Sequence, residues 1–300
     1  MSLAVLVGAV VAMVPAGAGE ASAAPRTVVA VGAENEYADV IGQIGGTDVK
    51  VSSVMSNPNT DPHAFEASPS VAGEVSAAQL VVENGVGYDS FMTKVLSSSP
   101  DPARKVIVVQ HLLGLPDSTQ NPHLWYTPKT MPAVAKAVAG DLTALDPPAA
   151  AYFAANLKTF DDSLRPWRSA LAKLKATYRR FGVAVSEPVA DYMLEAAGAD
   201  IATPWTLQAD VMNGIDPSPQ LVSIEENLFS DHRVKVFVYN QQVTDSLTET
   251  FLADAKQARV PVVGVYETMP TPGYHYQSWM LAEVEALTRA LSSKQSTNHL

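Results

Sequence analysis

Two short stretches carry the side chains with the clearest chemical potential. Asp61-Pro62-His63-Ala64-Phe65 and Asn121-Pro122-His123-Leu124-Trp125 share one local grammar: an acid or amide, a proline, a histidine and, two places on, an aromatic. The chain has only six histidines, and these two stand 60 positions apart in the same frame. Proline fixes φ and biases the residue before it toward an extended form, so each imidazole leaves a rigid turn in a defined direction. One such histidine more often satisfies a loop carbonyl or a helix end. Two in the same frame point to two ligands of one divalent metal ion.

The elements that must position them alternate. From residue 27 the chain reads as strands over 27–32, 49–54, 80–84 and 105–110, separated by helical patterns over 34–44, from Pro69 onward, and over 90–96. Ser68 precedes Pro69, which gives that helix a cap and a proline in its first turn. A helix over 130–145 is broken by Asp146-Pro147-Pro148. A second helical pattern of about 30 residues follows, on the order of 45 Å long, with a kink expected at Pro166. The alternation then resumes. Strands are expected over 181–186, 234–239 and 260–265, helices over 188–197, 218–228, 244–258 and 278–291, and irregular chain over 200–216. Near-continuous apolar strands between helices mean parallel sheets covered on both faces. The expected fold is α/β: two β/α lobes with parallel-rich sheets, 25–145 and 181–300, joined by one long rigid helix over 146–180.

In open α/β sheets ligands bind beyond the C-terminal ends of the strands. His63 and His123 lie in loops after first-lobe strands. Glu187 directly follows Val183-Ala184-Val185-Ser186, and Glu267 follows Val262-Val263-Gly264-Val265-Tyr266. The second lobe therefore offers two carboxylates from the structural position that gives the first lobe its two imidazoles. Taken singly, Glu187 before Pro188 also suits a helix N-terminus, and Glu267 suits a surface loop. His275, near Glu267, is a candidate supporting or alternative ligand. Asp245 suits a helix cap, and the amides of Asn240-Gln241-Gln242 suit support of the cleft.

Composition narrows the classes. Charged residues make up 17% of the 300, and the net charge is −11, which argues against a nucleic-acid partner. There are no cysteines, so any metal must be held by His, Asp, Glu, carbonyls or water. Residues 1–24 read as a signal peptide: an apolar run over 3–14, then small residues ending Ala21-Ser22-Ala23-Ala24, with no Lys or Arg ahead of it. The expectation is a soluble extracytoplasmic monomer without a lipoprotein cysteine. Gly85-Val86-Gly87 lacks the third glycine of a dinucleotide fingerprint. No Gly-Lys-Ser/Thr phosphate loop, Gly-x-Ser-x-Gly elbow or His-Glu-x-x-His helix occurs.

The chain resembles the zinc/manganese solute-binding proteins of bacterial ABC transporters, the cluster with a rigid interdomain helix. The resemblance runs from about Val28 to Leu291. It rests on Asp61-Pro62-His63, on Asn121-Pro122-His123-Leu124-Trp125 and on Ser186-Glu187-Pro188-Val189. It rests further on the run from Val238 to Asp245 and on Tyr266-Glu267-Thr268-Met269-Pro270 with Tyr276-Gln277-Ser278-Trp279-Met280. It places the family's four metal ligands on His63, His123, Glu187 and Glu267. It implies capture of a divalent transition metal (Zn²⁺ or Mn²⁺) outside the cytoplasm and delivery to an ABC transporter permease, with no enzymatic step. Many zinc-binding members carry a third histidine where Glu187 stands, and two imidazoles with two carboxylates leave the metal open. A secreted metallohydrolase with an open His/His/carboxylate site, or a metal-stabilised adhesive surface protein, are the readings from other classes.

Overall fold

A computed structural model describes residues 27–59 and 65–300. The signal-peptide expectation for 1–24 and the position of His63 lie outside these residues. The first lobe runs β1 (Val28–Glu34), α1 (Asn35–Gly45), β2 (Val49–Met55), α2 (Pro69–Ala77), β3 (Leu80–Glu83), α3 (Ser90–Ser98), β4 (Lys105–Val108), α4 (Val109–Leu112) and α5 (Thr130–Leu145). The strands pair in parallel in the order β2-β1-β3-β4. The second lobe runs β5 (Phe181–Val185), α8 (Asp191–Ala196), β6 (Ala199–Ile201), α9 (Trp205–Met212), α10 (Pro219–Ser230), β7 (Val236–Asn240), α11 (Ser246–Gln257), β8 (Val262–Val265) and α12 (Tyr276–Ser293), with α6 (Ala150–Ser163) and α7 (Arg165–Tyr178) between the lobes. Its sheet is again all parallel, in the equivalent order β6-β5-β7-β8. Both sheets reverse winding direction about their first strand, so each has a crevice at its strand C-termini.

Local chemistry sets the boundaries. Ser68 caps α2 from its hydroxyl, with Pro69 at the first helical position. Asp245 and Thr248 form a reciprocal capping box on α11. The strand expected over 105–110 stops at Val108, because the backbone turns directly into α4. The helix expected over 188–197 forms only from Asp191, after the rigid Glu187-Pro188 step. Residues 200–216 are not irregular: they supply the edge strand β6 and the helix α9. The connecting helix is two consecutive segments that meet at Leu164, which itself stays helical at φ −77° and ψ −11°. Pro166 has no N–H for the carbonyl of Asp162, and the Arg165 Nε donates to that carbonyl instead, at 3.2 Å.

One apolar core runs through both lobes. It joins Tyr37, Ile41 and Trp125 of the first lobe to Val185, Val238, Trp279 and Leu287 of the second. Trp167 of α7 meets Tyr276 of α12 edge-on at 5.8 Å, and Tyr126 meets Trp279 at 5.7 Å. Polar bonds lock the same seam. The Tyr276 hydroxyl donates to the carbonyl of Trp125 at 2.7 Å, and Asn121 Nδ2 to the carbonyl of Pro188 at 2.7 Å. Asp39 of α1 receives the first N–H of α12 at 2.8 Å. A seam locked in this way resists wide hinge opening, which favours small shifts between the lobes. Among the described residues no helix is long and apolar enough to cross a membrane.

The core also buries acids. Burial pushes Asp191, Glu225 and Glu283 up to about 8. Thr203 Oγ1 donates to Glu225 at 3.0 Å and the Tyr126 hydroxyl to Glu283 at 2.8 Å. In the unfolded chain such acids titrate near 4, so above that pH the folded chain holds protons that the unfolded chain has released. Their stabilising contribution is complete below about pH 4 and is lost as pH rises through about 8. The melting temperature of metal-free protein should therefore fall by at least about 5 °C between pH 5 and pH 8. A calorimetric scan that is flat or rises over that window contradicts this account of the buried acids.

Candidate metal centre

His123 sits on the tight turn before a short 3-10 segment, Leu124–Tyr126, and is wholly buried. Its orientation is fixed by Asn121. The amide oxygen of Asn121 accepts from the His123 backbone N–H at 3.0 Å and contacts ring Nδ1 at 2.8 Å. That oxygen is oriented correctly because the same side chain's Nδ2 donates to Pro188 across the seam. An amide oxygen has no hydrogen to offer, so Nδ1 carries the proton and Nε2 presents its lone pair. Trp125 and Tyr88 stand edge-on to the ring at 5.4 and 5.8 Å and hold its plane.

Nε2 faces Oε2 of Glu267, from the other lobe, at 3.2 Å. Both atoms are acceptors in their unprotonated forms, so the contact needs either a shared proton or a bound cation between them. Glu267 follows β8 and is also wholly buried. Its Oε2 receives the Tyr88 hydroxyl at 2.9 Å. Its backbone N–H, and that of Thr268, both donate to Gln242 Oε1 at 2.7 Å. Glu187, at the end of β5, is 3% exposed. The two carboxylates are held by one side chain: Asn240 Nδ2, at the end of β7, donates to Glu187 Oε1 at 2.6 Å and to Glu267 Oε1 at 2.7 Å. Asn240 in turn accepts from the Gln242 N–H at 3.0 Å. One amide with two hydrogens serves two acids and fixes their separation.

The structure thus brings His123 and Glu267 into contact and ties Glu187 to Glu267 through Asn240. Among the described residues no three His, Asp or Glu side chains by themselves form a cage for an ion, and His63 lies outside those residues. The flanks of its loop are anchored. Asn57 Oδ1 accepts from the Asn59 N–H at 3.0 Å, and Phe65 packs on Phe91 of α3 at 4.8 Å. His275 serves elsewhere: it heads α12 and its Nδ1 pairs with Asp39 at 2.6 Å.

Several positioning residues are not apparent from the sequence motifs. Gly85, Val86 and Gly87, all at positive φ (81°, 56° and 78°), form the turn that carries Tyr88 to Glu267. A Cβ at Gly85 would come within 2.9 Å of Gln110. Burial and the neighbouring Glu267 push the Tyr88 phenol up, so it remains a donor. Trp205, Ala209 and Met212 of α9 face Tyr88 and Pro122 across a cavity of about 420 Å³, beside the residues that contact Glu267.

Known proteins share this fold. The solute-binding protein FpvC from Pseudomonas aeruginosa, solved in complex with Mn²⁺, superposes with a TM-score of 0.71 at 22% identity, covering 90% of this chain and 99% of that one. The manganese ABC transporter substrate-binding lipoprotein PsaA of Streptococcus anginosus is 27% identical over 176 residues, 54% of this chain and 57% of its own length. The iron-binding protein YfeA of Yersinia pestis is 22% identical over 217 residues, 69% of this chain and 67% of its own. The chain thus spans little more than half of the first of these curated relatives. A family model described as ZnuA, zinc-uptake complex component A periplasmic, matches residues 31–290, and the chain belongs to that family of metal-binding solute-binding proteins.

Proposed function

We propose that this protein is the extracytoplasmic solute-binding component of a metal ABC transporter. It captures one divalent transition-metal ion between its lobes and hands it to a membrane permease, acting as a monomer without a nucleic-acid partner. The ligands are His63 and His123 from the first lobe and Glu187 and Glu267 from the second. The observation that carries this reading is the buried His123–Glu267 contact. An imidazole with its proton committed to Asn121 presents its lone pair to a carboxylate of the opposite lobe. No acid, base or nucleophile is required of these side chains, because the task is reversible coordination. The family is one of metal-uptake solute-binding components rather than enzymes, which does not favour the hydrolase and adhesive readings.

Neutral imidazole suits Zn²⁺ and carboxylate suits Mn²⁺. PsaA is a manganese-transporter lipoprotein, FpvC was solved with Mn²⁺, YfeA is an iron-binding protein, and the family is one of zinc-uptake components. Calorimetric titration of the chelator-stripped protein with Zn²⁺ and with Mn²⁺ tests the proposal. One ion per chain is expected for at least one metal, with affinity falling in acid as the imidazoles protonate. If neither metal nor Fe²⁺ binds, the proposal fails.

A further inference from the structure

The β1–α1 junction delivers two acids that the four-ligand set does not use. Glu34 closes β1 and Glu36 lies in the first turn of α1, at the ligand-binding end of the first sheet. They are 2% and 0% exposed, neither carboxylate makes a hydrogen bond of good geometry, and the Asp89 carboxyl lies against Glu34. Glu34 occupies the N-cap position of α1 yet makes no capping bond from its side chain. Neither acid belongs to an ion pair among the described residues. Burying carboxylates in this way is costly unless a proton or another cation neutralises them. Burial pushes both well up, and for Glu36 the nearest donors, the backbone amides of Glu36 and Met269, offset this only in part.

The surroundings of Glu36 point toward the metal centre. Asn35, its neighbour, is bonded in both directions to the backbone of Met269, at 2.8 and 3.0 Å, two residues beyond Glu267. The first turn of α1 is thereby clamped to the segment that carries Glu267. The charges of Glu36 and Glu267 oppose one another. Tyr88, which donates to Glu267 Oε2, feels the charge of both Glu36 and Glu34. Asp89 and Glu83 also face Glu34, and Asp39, itself paired with His275, faces Glu36, so this side of the centre is rich in acids.

We propose that Glu36, backed by Glu34, is a further carboxylate of the metal centre, which tilts the site toward a hard, oxygen-preferring divalent ion such as Mn²⁺. This rests on the ligand reading above. Two carboxylates already balance a divalent ion. A third adds negative charge and an oxygen donor, which Mn²⁺ accommodates by a higher coordination number and which a tetrahedral Zn²⁺ site does not require.

The test is calorimetric titration of Glu36→Gln in the full mature chain with Mn²⁺ and, separately, with Zn²⁺. The substitution keeps shape and removes charge. Mn²⁺ binding should weaken by about 10–100-fold and the Mn²⁺-to-Zn²⁺ affinity ratio should fall by about tenfold. Glu34→Gln should move the ratio in the same direction by less, and it provides the reading if the Glu36 variant does not fold. A merely structural role would change the melting temperature and weaken both metals equally. Equal weakening, or an unchanged ratio, overturns the inference. Failure of the unsubstituted chain to bind either metal overturns the four-ligand reading and this one together; binding with an unchanged ratio overturns this one alone.

Discussion

Replacing His123 with alanine is expected to weaken metal binding by roughly 10²–10³-fold. The magnitude follows from a share. Structural metal binding by four ligands is worth about 10–16 kcal/mol, so one ligand in four accounts for roughly 2.5–4 kcal/mol, and each 1.4 kcal/mol is a factor of ten. His123 has no alternative duty that would produce the same loss. Its Nδ1 is committed to Asn121 and its Nε2 faces Glu267 of the other lobe. The corresponding control is His275→Ala. That histidine heads α12 and pairs with Asp39, so its removal should leave affinity within about threefold, a change of less than 0.7 kcal/mol. Circular dichroism must show that both variants stay folded. A His123→Ala protein that binds Zn²⁺ and Mn²⁺ as the parent does would sink the ligand assignment, and a large loss in His275→Ala alone would move the site to the second-lobe loop.

The parts of this molecule that were legible in its sequence are those whose cause is local. Apolar runs such as Leu80-Val81-Val82 are strands because both faces of a parallel sheet are buried. The helix over Thr130–Leu145 announces itself by apolar residues at every third or fourth place and by the prolines that follow it. The edge strand β6 was hidden because it is three residues long with Asp200 at its centre. The helix α9 was hidden because it is short, weakly amphipathic and lacks a side-chain cap. Neither carries a periodic signal long enough to read.

The same division holds at the centre. Glu187 and Glu267 could be found because a strand end is a position that sequence reveals. The role of Tyr88 could not, since its bond to Glu267 spans 179 residues. Asn240 lay within a run of amides suited to support a cleft, but that one amide holds both acids is a property of three strands meeting. Nothing in the sequence separates Glu36 from an ordinary acid in a first helical turn, where the helix dipole favours one. Only its complete burial without a hydrogen bond of good geometry separates it from that reading.

Trp125→Ala is expected to cost about 3–5 kcal/mol, the usual loss for a buried aromatic, because the seam cannot collapse into the space it leaves. Trp125 is wholly buried between Tyr37, Tyr88 and His123, with ring separations of 6.4, 5.0 and 5.4 Å. Its carbonyl receives the Tyr276 hydroxyl from the second lobe. The loss should lower the melting temperature by roughly 10 °C for a chain of this size. Because the core is continuous from Tyr37 to Leu287, both lobes should still unfold in one calorimetric transition that moves as a whole. A scan in which the first lobe melts early while the second keeps its parental temperature would show two independent units, and release by small concerted shifts would then give way to hinged opening. The indole edge supports the ring of His123 within the first lobe, so metal binding should weaken in the variant even where the protein remains folded.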